Sequence, residues 1–386
     1  MAVFIGRDKE VRRAFGFDEV AIVPGSITID PEDVDTTLNL CGFKFDIPLI
    51  ASAMDGVVDP KMAIALGKIN GLGVLNLDGI YTRYKNPYEQ IQKIIDPKTK
   101  NVTEVLQKIY REPVKEELIY ARIKEIKKAG VVCAVSSIPQ NAPKNVIIAK
   151  EAGADIFVIQ ATVVTVNHYS SRYENVNLEK ICKESGLPII IGNCVTYNVA
   201  LQLMEIGASA ILVGVGPGAA CTTRQVLGIG VPQVTATVDC AKARDYFFKK
   251  TGKYVPIITD GGMITGGDIC KSFVAGADAV MFGTGFAKSK ESPGKGYHWG
   301  MAMPHFYLPR GTRIYVGTTG TLKEILLGPA KTDDGTQNLV GALKTCMGNV
   351  GARNLKELQL AQLIIAPEIK SEGKTYQKAQ KVGMGK

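Results

Sequence analysis

Short apolar runs return along the chain, and eight of them have the length and composition of strands buried on both faces. They are Pro48–Ser52, Gly73–Leu77, Val131–Val135, Asp155–Gln160, Pro188–Gly192, Ala210–Gly214, Pro256–Asp260 and Ala279–Gly283. The stretches between them have room for helices. Three joins share one grammar: EAGADIFVI (151–159), EIGASAILVG (205–214) and VAGADAVMFG (274–283). Each ends a helix, puts glycine where a left-handed C-cap belongs, and starts a strand. Eight parallel strands with crossover helices predict an α/β chain folded as a (β/α)8 TIM barrel, with a doubly wound sheet as the alternative. Residues 1–386 read as one such domain.

Several stretches depart from a minimal barrel. Residues 1–47 read as an irregular lead-in with an Asp30-Pro31 turn signal. Between the second and third strands, residues 81–130 form a charged helical insertion, with a helical stretch at Lys115–Lys128. After the sixth strand, Pro232–Lys250 reads as loop then helix. After the eighth, residues 288–341 are rich in glycine, proline and aromatics and show little periodicity. A loop of that length predicts a lid over the barrel mouth. The tail, 367–386, is polar and basic, as expected of a surface arm or a disordered end.

Composition narrows the function classes. Hydrophobic residues at 46% and charged residues at 22% describe a soluble globular protein. No apolar run reaches the roughly 18 residues of a membrane span, and the N-terminus lacks a signal-peptide core. Eight cysteines are scattered with no CxxC pair or zinc spacing, which predicts a reduced, cytoplasmic protein. The net charge of +9 invites a nucleic-acid partner, but Lys and Arg are dispersed without a basic block. A nucleotide-sized anion is the milder reading, so neither nucleic acid nor membrane is expected as a partner.

In a barrel the site lies at the C-terminal ends of the strands. The unusual residues fall there: Ser52-Ala53-Met54-Asp55, Gly192-Asn193, Thr259-Asp260-Gly261-Gly262 and Phe282-Gly283-Thr284-Gly285. Asp260 could accept hydrogen bonds from vicinal hydroxyls, or merely cap the next helix. Gly262, Gly283 and Thr284 offer backbone N–H groups for a phosphate, although such glycines also serve only to turn the chain. Ser52 and Met54 could equally be packing residues. The sixth strand opens into Val215–Cys221, with glycines at Gly216 and Gly218, followed by Thr222, Thr223 and Arg224. A cysteine among hydroxyls with an arginine three residues on is a candidate nucleophile. Taken alone, a buried inert thiol is the more ordinary reading.

The stretch GPGAACTTRQVLGIGVPQ resembles the active-site loop of the IMP dehydrogenase and GMP reductase family. FGFDEVAIVPG, DIPLIASAMDGV, IITDGGMITGGDICKSFVAGADAVMFGT, ESPG and HWGM follow the family order, so the likeness spans about residues 14–365. It implies that Cys221 attacks C2 of a purine nucleotide, with Thr223 near the water used afterwards. It implies that Ser52, Met54, Asp260, Gly262, Gly283, Thr284, Gly300 and Met301 hold the nucleotide. Gln160, Thr162, Asn193 and Gly214 fall on the side of the cofactor, NAD. Backbone carbonyls of Gly216, Gly218 and Cys221 would take a monovalent cation, potassium. The implied reaction is oxidation of IMP to XMP by a homotetramer or higher assembly.

The chain also departs from that pattern. The family's pair of regulatory cystathionine-β-synthase-type modules has no room between the second and third strands. Gln160-Ala161-Thr162 stands where dehydrogenases carry an acidic residue, and Ala219 replaces a serine. The water-activating Arg-Tyr pair is missing. Arg310, or else Arg313, could supply the arginine, and His298 and His305 are alternative bases. Arg310 also falls where the family contacts the purine. RQVLGIGVPQ favours the dehydrogenase over GMP reductase, which works with NADPH. A non-catalytic nucleotide-binding relative is the third reading.

Overall fold

The computed structural model describes residues 3–171, 174–300 and 311–383. Eight parallel strands close a barrel: β1 (Leu49–Ala51), β2 (Leu72–Asn76), β3 (Ala134–Ser137), β4 (Ile156–Gln160), β5 (Ile189–Cys194), β6 (Ala210–Val213), β7 (Ile257–Asp260) and β8 (Ala279–Phe282). Each strand pairs with its neighbours in sequence, and β8 pairs with β1 to close the ring. The TIM barrel is therefore the fold, and the doubly wound sheet is not. The strands coincide with the eight apolar runs, except that β3 begins three residues later than Val131. The joins follow their grammar: Gly153, Gly207 and Gly276 have φ of 91°, 101° and 107°.

Helices α1 (Pro60–Lys68), α2 (Pro87–Ile95), α3 (Val102–Ile109), α4 (Glu116–Lys128) and α5 (Ala142–Ala152) occupy the first half. α4 packs against both α1 and α5, so it is the barrel's own crossover helix. The inserted part of 81–130 therefore reduces to the α2–α3 region. In the second half come α6 (Leu178–Glu184), α7 (Tyr197–Glu205), α8 (Thr223–Leu227), α9 (Gln233–Thr251) and α10 (Gly266–Val274). After β8 follow α11 (Thr284–Ala287), α12 (Leu322–Leu327) and α13 (Leu339–Val350).

Two long loops of the sequence reading prove to be framework. The lead-in contains a hairpin, Leu38–Leu40 with Phe43–Phe45, turned by Cys41 and Gly42 at φ of 55° and 84°. Its Leu38, Leu40 and Phe45 join Leu72, Ile156, Ile190, Ala210, Ile258 and Ala279 inside the barrel, plugging its floor. The stretch 288–341 is not one aperiodic lid. Tyr297–Trp299 pairs with Arg313–Tyr315, α12 buries Leu322, Ile325 and Leu326, and α13 begins at Leu339. The tail carries a short exposed helix, Thr375–Gln380.

The barrel interior sets where chemistry can occur. Ile50, Val74, Ala134, Val158, Leu212, Ile258 and Met281 face inward as one apolar cluster. Side chains alternate along a strand, so the next inward positions are Ser52, Asn76, Ser136, Gln160, Gly214, Asp260 and Gly283. The top layer is thus entirely polar or glycine, and the mouth is open to a ligand.

The opposite end is clamped by charge. Just before β8, buried Asp278 accepts from Arg244 Nη1 at 2.9 Å, Ile257 N at 2.8 Å, Tyr254 Oη at 2.7 Å and Gln359 Nε2 at 3.1 Å, and pairs with Lys356. Burial alone would raise this carboxyl, yet Arg244 and Lys356 hold it below the usual range. Asp278→Ala removes the buried carboxylate from Arg244, which keeps only the exposed Asp245 as an ionic partner. Unfolding in urea is expected to show a loss of about 3–5 kcal/mol.

Candidate active site

The loop after β6 is laid on the turn after β7. At Gly214, φ is 152°. A Cβ there would stand 2.3 Å from the Asp260 carbonyl oxygen, so only glycine lets the two strand ends cross this closely. Gly261 and Gly262 have φ of 83° and 86° and lie against Pro217 and Gly218. The cysteine loop thereby rests on the backbone of the Asp260 turn.

Cys221 ends this loop just ahead of α8. Its N–H donates to Gly218 O at 2.9 Å, and its Sγ lies 3.2 Å from Thr223 Oγ1. All eight cysteines are among the described residues and all are free, but only Cys221 is exposed. That exposure reverses the ordinary expectation of a buried thiol. Arg224 turns away to the loop carbonyls: Nε reaches Val215 O at 3.2 Å and Nη2 reaches Val231 O at 2.7 Å.

Across the mouth, Asp260 Oδ2 accepts from Gln160 Nε2 at 2.9 Å and from Asn193 Nδ2 at 2.8 Å. Gln160 Nε2 also lies 3.3 Å from Asn193 Oδ1, so three strand ends share one polar cluster. Burial raises the Asp260 carboxyl to about 6, against the pull of its two amide donors. Gln160 and Asn193, expected on the cofactor side, are tied to the carboxylate expected on the sugar.

On the β8 side, Gly283 lies against Met54, whose Sδ would stand 2.6 Å from a Cβ there. Thr284 Oγ1 lies 3.4 Å from His298 Nε2. His298 is buried, its Nδ1 has no partner among the described residues, and burial holds the imidazole down at about 4. It is neutral at physiological pH, but its proton affinity is too weak for an efficient general base there. Arg313 is committed elsewhere. Its Nη1 donates to Ile94 O and, at 3.1 Å, to Asp96 O, and its guanidinium stacks on Tyr297. Met301, His305 and Arg310 lie outside the described residues.

A cavity of about 690 Å³ joins these parts. Cys221, Thr223, Ser52, Met54, Asp260, Gly262, Gly283, Thr284, Gly300, Gln160, Thr162, Asn193, Gly214, Gly216 and Gly218 all line it. Its size lies in the range of nucleotide and cofactor clefts. A smaller recess of about 140 Å³ adjoins it under β1–β3, lined by Asp55, Asn76, Asp78, Tyr110 and Ser136. The sequence reading missed that recess. Its one local signal was the in-phase position of Asn76 and Ser136 two residues beyond buried strand residues.

The potassium expectation meets an obstacle. Gly218 O already accepts from the Cys221 N–H, and the Arg224 side chain lies against Gly216. A fixed positive charge there opposes a second cation. Among the described residues no cluster of three or more His, Cys, Asp or Glu could hold a metal ion.

The family model described as IMP dehydrogenase / GMP reductase domain matches residues 14–312. The chain belongs to that family. It is 37% identical to an uncharacterized oxidoreductase of Mycobacterium tuberculosis (strain H37Rv), over 94% of this chain and 99% of that one. It is 30% identical to the inosine-5'-monophosphate dehydrogenase of Borreliella burgdorferi, over 92% and 94%. The crystal structure of an IMP dehydrogenase/GMP reductase-like protein from Corynebacterium glutamicum superposes with a TM-score of 0.89 at 34% identity, over 95% of this chain and 98% of that one. The protein is therefore of an oxidoreductase family whose members act on purine nucleotides. Among the described residues, no helix is long and apolar enough to cross a membrane.

Proposed function

We propose that the protein is an IMP dehydrogenase, oxidising IMP to XMP with NAD through a covalent bond to Cys221. The observation that carries this reading is the single exposed thiol at the rim of a cavity that also holds Asp260 and the glycines of β7 and β8. Asp260 accepts from the ribose hydroxyls. Backbone N–H groups at Gly262, Gly283 and Thr284 take the phosphate. Ser52, Met54 and Gly300 border the base, and the family resemblance assigns Met301 to it as well.

Cys221 sulfur adds across the C2–N3 double bond of the hypoxanthine ring with the thiol proton going to N3, and that proton is released as the hydride leaves and the double bond re-forms. NAD bound in the same cavity would supply the acceptor for the hydride that leaves C2. Thr223, beside Sγ, holds the water that then cleaves the carbon–sulfur bond, returning the thiol and releasing XMP. Arg310 is assigned to water activation. Thr162 and Gly214 border the space for the nicotinamide. Gln160 and Asn193 line the same cavity and also hold Asp260. The carbonyls of Gly216, Gly218 and Cys221 are assigned to a monovalent cation, and no step is derived through it. Free thiols fit the cytoplasm, and the family resemblance adds a homotetramer.

The test is the near-ultraviolet absorbance of the reduced nicotinamide, with IMP and NAD in one cuvette and GMP and NADPH in another. Growth of NADH is expected. Consumption of NADPH instead would overturn this reading in favour of GMP reductase, the second activity the family model covers.

A further inference from the structure

The only tryptophan of the chain, Trp299, is buried directly ahead of Gly300 at the cavity wall. Its indole lies on Gly56, where a Cβ would meet Trp299 Cζ3 at 2.8 Å. Its Nε1 donates to Tyr110 Oη at 2.9 Å. Tyr110 ends α3, inside the insertion that stands where related enzymes hold regulatory modules, and its hydroxyl donates to Asp55 Oδ2. Asp55 follows Met54 in the turn that borders the cavity. It is further held by Ile80 N at 3.1 Å and, through its carbonyl, by Tyr81 Oη at 3.0 Å. On the far side, Gly300 lies against the carbonyl of Ala220, the residue before Cys221. One line of contacts therefore runs from the insertion through buried Trp299 and half-buried Gly300 to the cysteine loop, with a branch to the Ser52–Asp55 turn.

We propose that Tyr110 is a positioning residue of the active site. Its hydroxyl holds the Trp299–Gly300 segment and the Asp55 turn in register, and so sets where Cys221 stands. The insertion thus acts as a fixed brace for the mouth. The part that concerns turnover rests on the proposed function; the placement of Cys221 does not.

Tyr110→Phe keeps the ring and removes both bonds, leaving Trp299 Nε1 and Asp55 Oδ2 each short of a partner. Tyr84→Phe is the control. Its hydroxyl donates to Ile109 O at 2.9 Å in the same insertion without touching Trp299. Three readouts are taken on the full chain: Trp299 emission, the rate of Cys221 alkylation by iodoacetamide followed by peptide mass, and steady-state kinetics with IMP and NAD. In Tyr110→Phe the emission shifts to longer wavelength and the alkylation rate changes. There kcat falls about tenfold to a hundredfold, as a small misplacement of reacting groups does. KM for IMP changes less than kcat, because Asp260 and Gly262 lie off this line while Ser52, Met54 and Gly300, which border the base, lie on it. Tyr84→Phe leaves all three readouts at wild-type values.

Wild-type emission and alkylation in Tyr110→Phe would overturn the proposal, as would equal changes in Tyr84→Phe. If Tyr110→Phe fails to fold, Trp299→Phe keeps the Tyr110–Asp55 bond and removes only the upper link. An unchanged alkylation rate there would also overturn it. A wild-type chain silent toward IMP sinks the functional reading alone, since emission and alkylation still decide the brace.

Discussion

Cys221→Ser is expected to lose turnover by at least about a thousandfold while IMP still binds. The oxygen for sulfur exchange keeps the side chain's size and its neighbour Thr223. It removes the one atom that can add to the purine at neutral pH, because a serine hydroxyl without a base is a far weaker nucleophile. Binding survives because the carboxylate of Asp260 and the backbone of the β7 and β8 loops line the cavity independently of the thiol. Calorimetry with IMP on the variant, beside steady-state rates, separates the two effects. Undiminished turnover would remove covalent catalysis from the mechanism. Lost binding would mean that the thiol is mainly a contact for the base.

Asp260→Asn carries the second large effect, and it falls on binding. The two amide donors, Gln160 and Asn193, would draw the new carbonyl oxygen toward themselves. The –NH2 group then faces the ribose hydroxyls where an acceptor stood. Hydrogen bonds to a charged group contribute about 1.5–3 kcal/mol each, so an affinity loss of about a hundredfold is expected for IMP. The 2'-deoxynucleotide should lose less, since one of the two hydroxyl contacts is already absent. The wild type should show the same dependence through pH. The nucleotide favours the ionised carboxylate, and burial places this group at about 6 in the free protein. Affinity is therefore full above that value and weakens as the pH falls through it, by up to about tenfold per further unit. A flat titration of IMP affinity across this range would remove Asp260 from the sugar contact.

Both predictions depend on groups of different legibility. Cys221 was visible in the sequence because its loop is contiguous. Its exposure was not, and exposure is what separates a reactive thiol from the inert ones at Cys133, Cys194, Cys240 and Cys270, which are buried. Asp260 was visible as a carboxylate at a strand end. Its clamp by Gln160 and Asn193 was not, since those partners lie 100 and 67 residues away. The hairpin that plugs the floor was missed for a local reason. Its Cys41-Gly42 turn lacks the Asn-Gly or Asp-Gly signal that marks such hairpins. The lid was drawn too wide because the six residues of α12, with Leu322, Ile325 and Leu326 at helical spacing behind a Thr321–Glu324 capping box, are too short a helix to stand out, and Trp299 buries itself with no periodicity at all.

What the sequence by itself determined is what local physics writes into neighbouring residues. A strand covered on both faces must be apolar throughout, and a helix that turns back into a strand needs a residue tolerant of positive φ. Eight runs and three glycine joins therefore specified eight alternating strand–helix units, and pointed to a barrel over a doubly wound sheet. Closure of the ring then decided what stands together at its mouth. Only the tertiary structure brought Asp260 under two amides, laid the cysteine loop on Gly261 and Gly262, and hung Trp299 on Tyr110 across 189 residues of chain. Such pairings depend on where whole strands and loops come to rest, and no local periodicity encodes that.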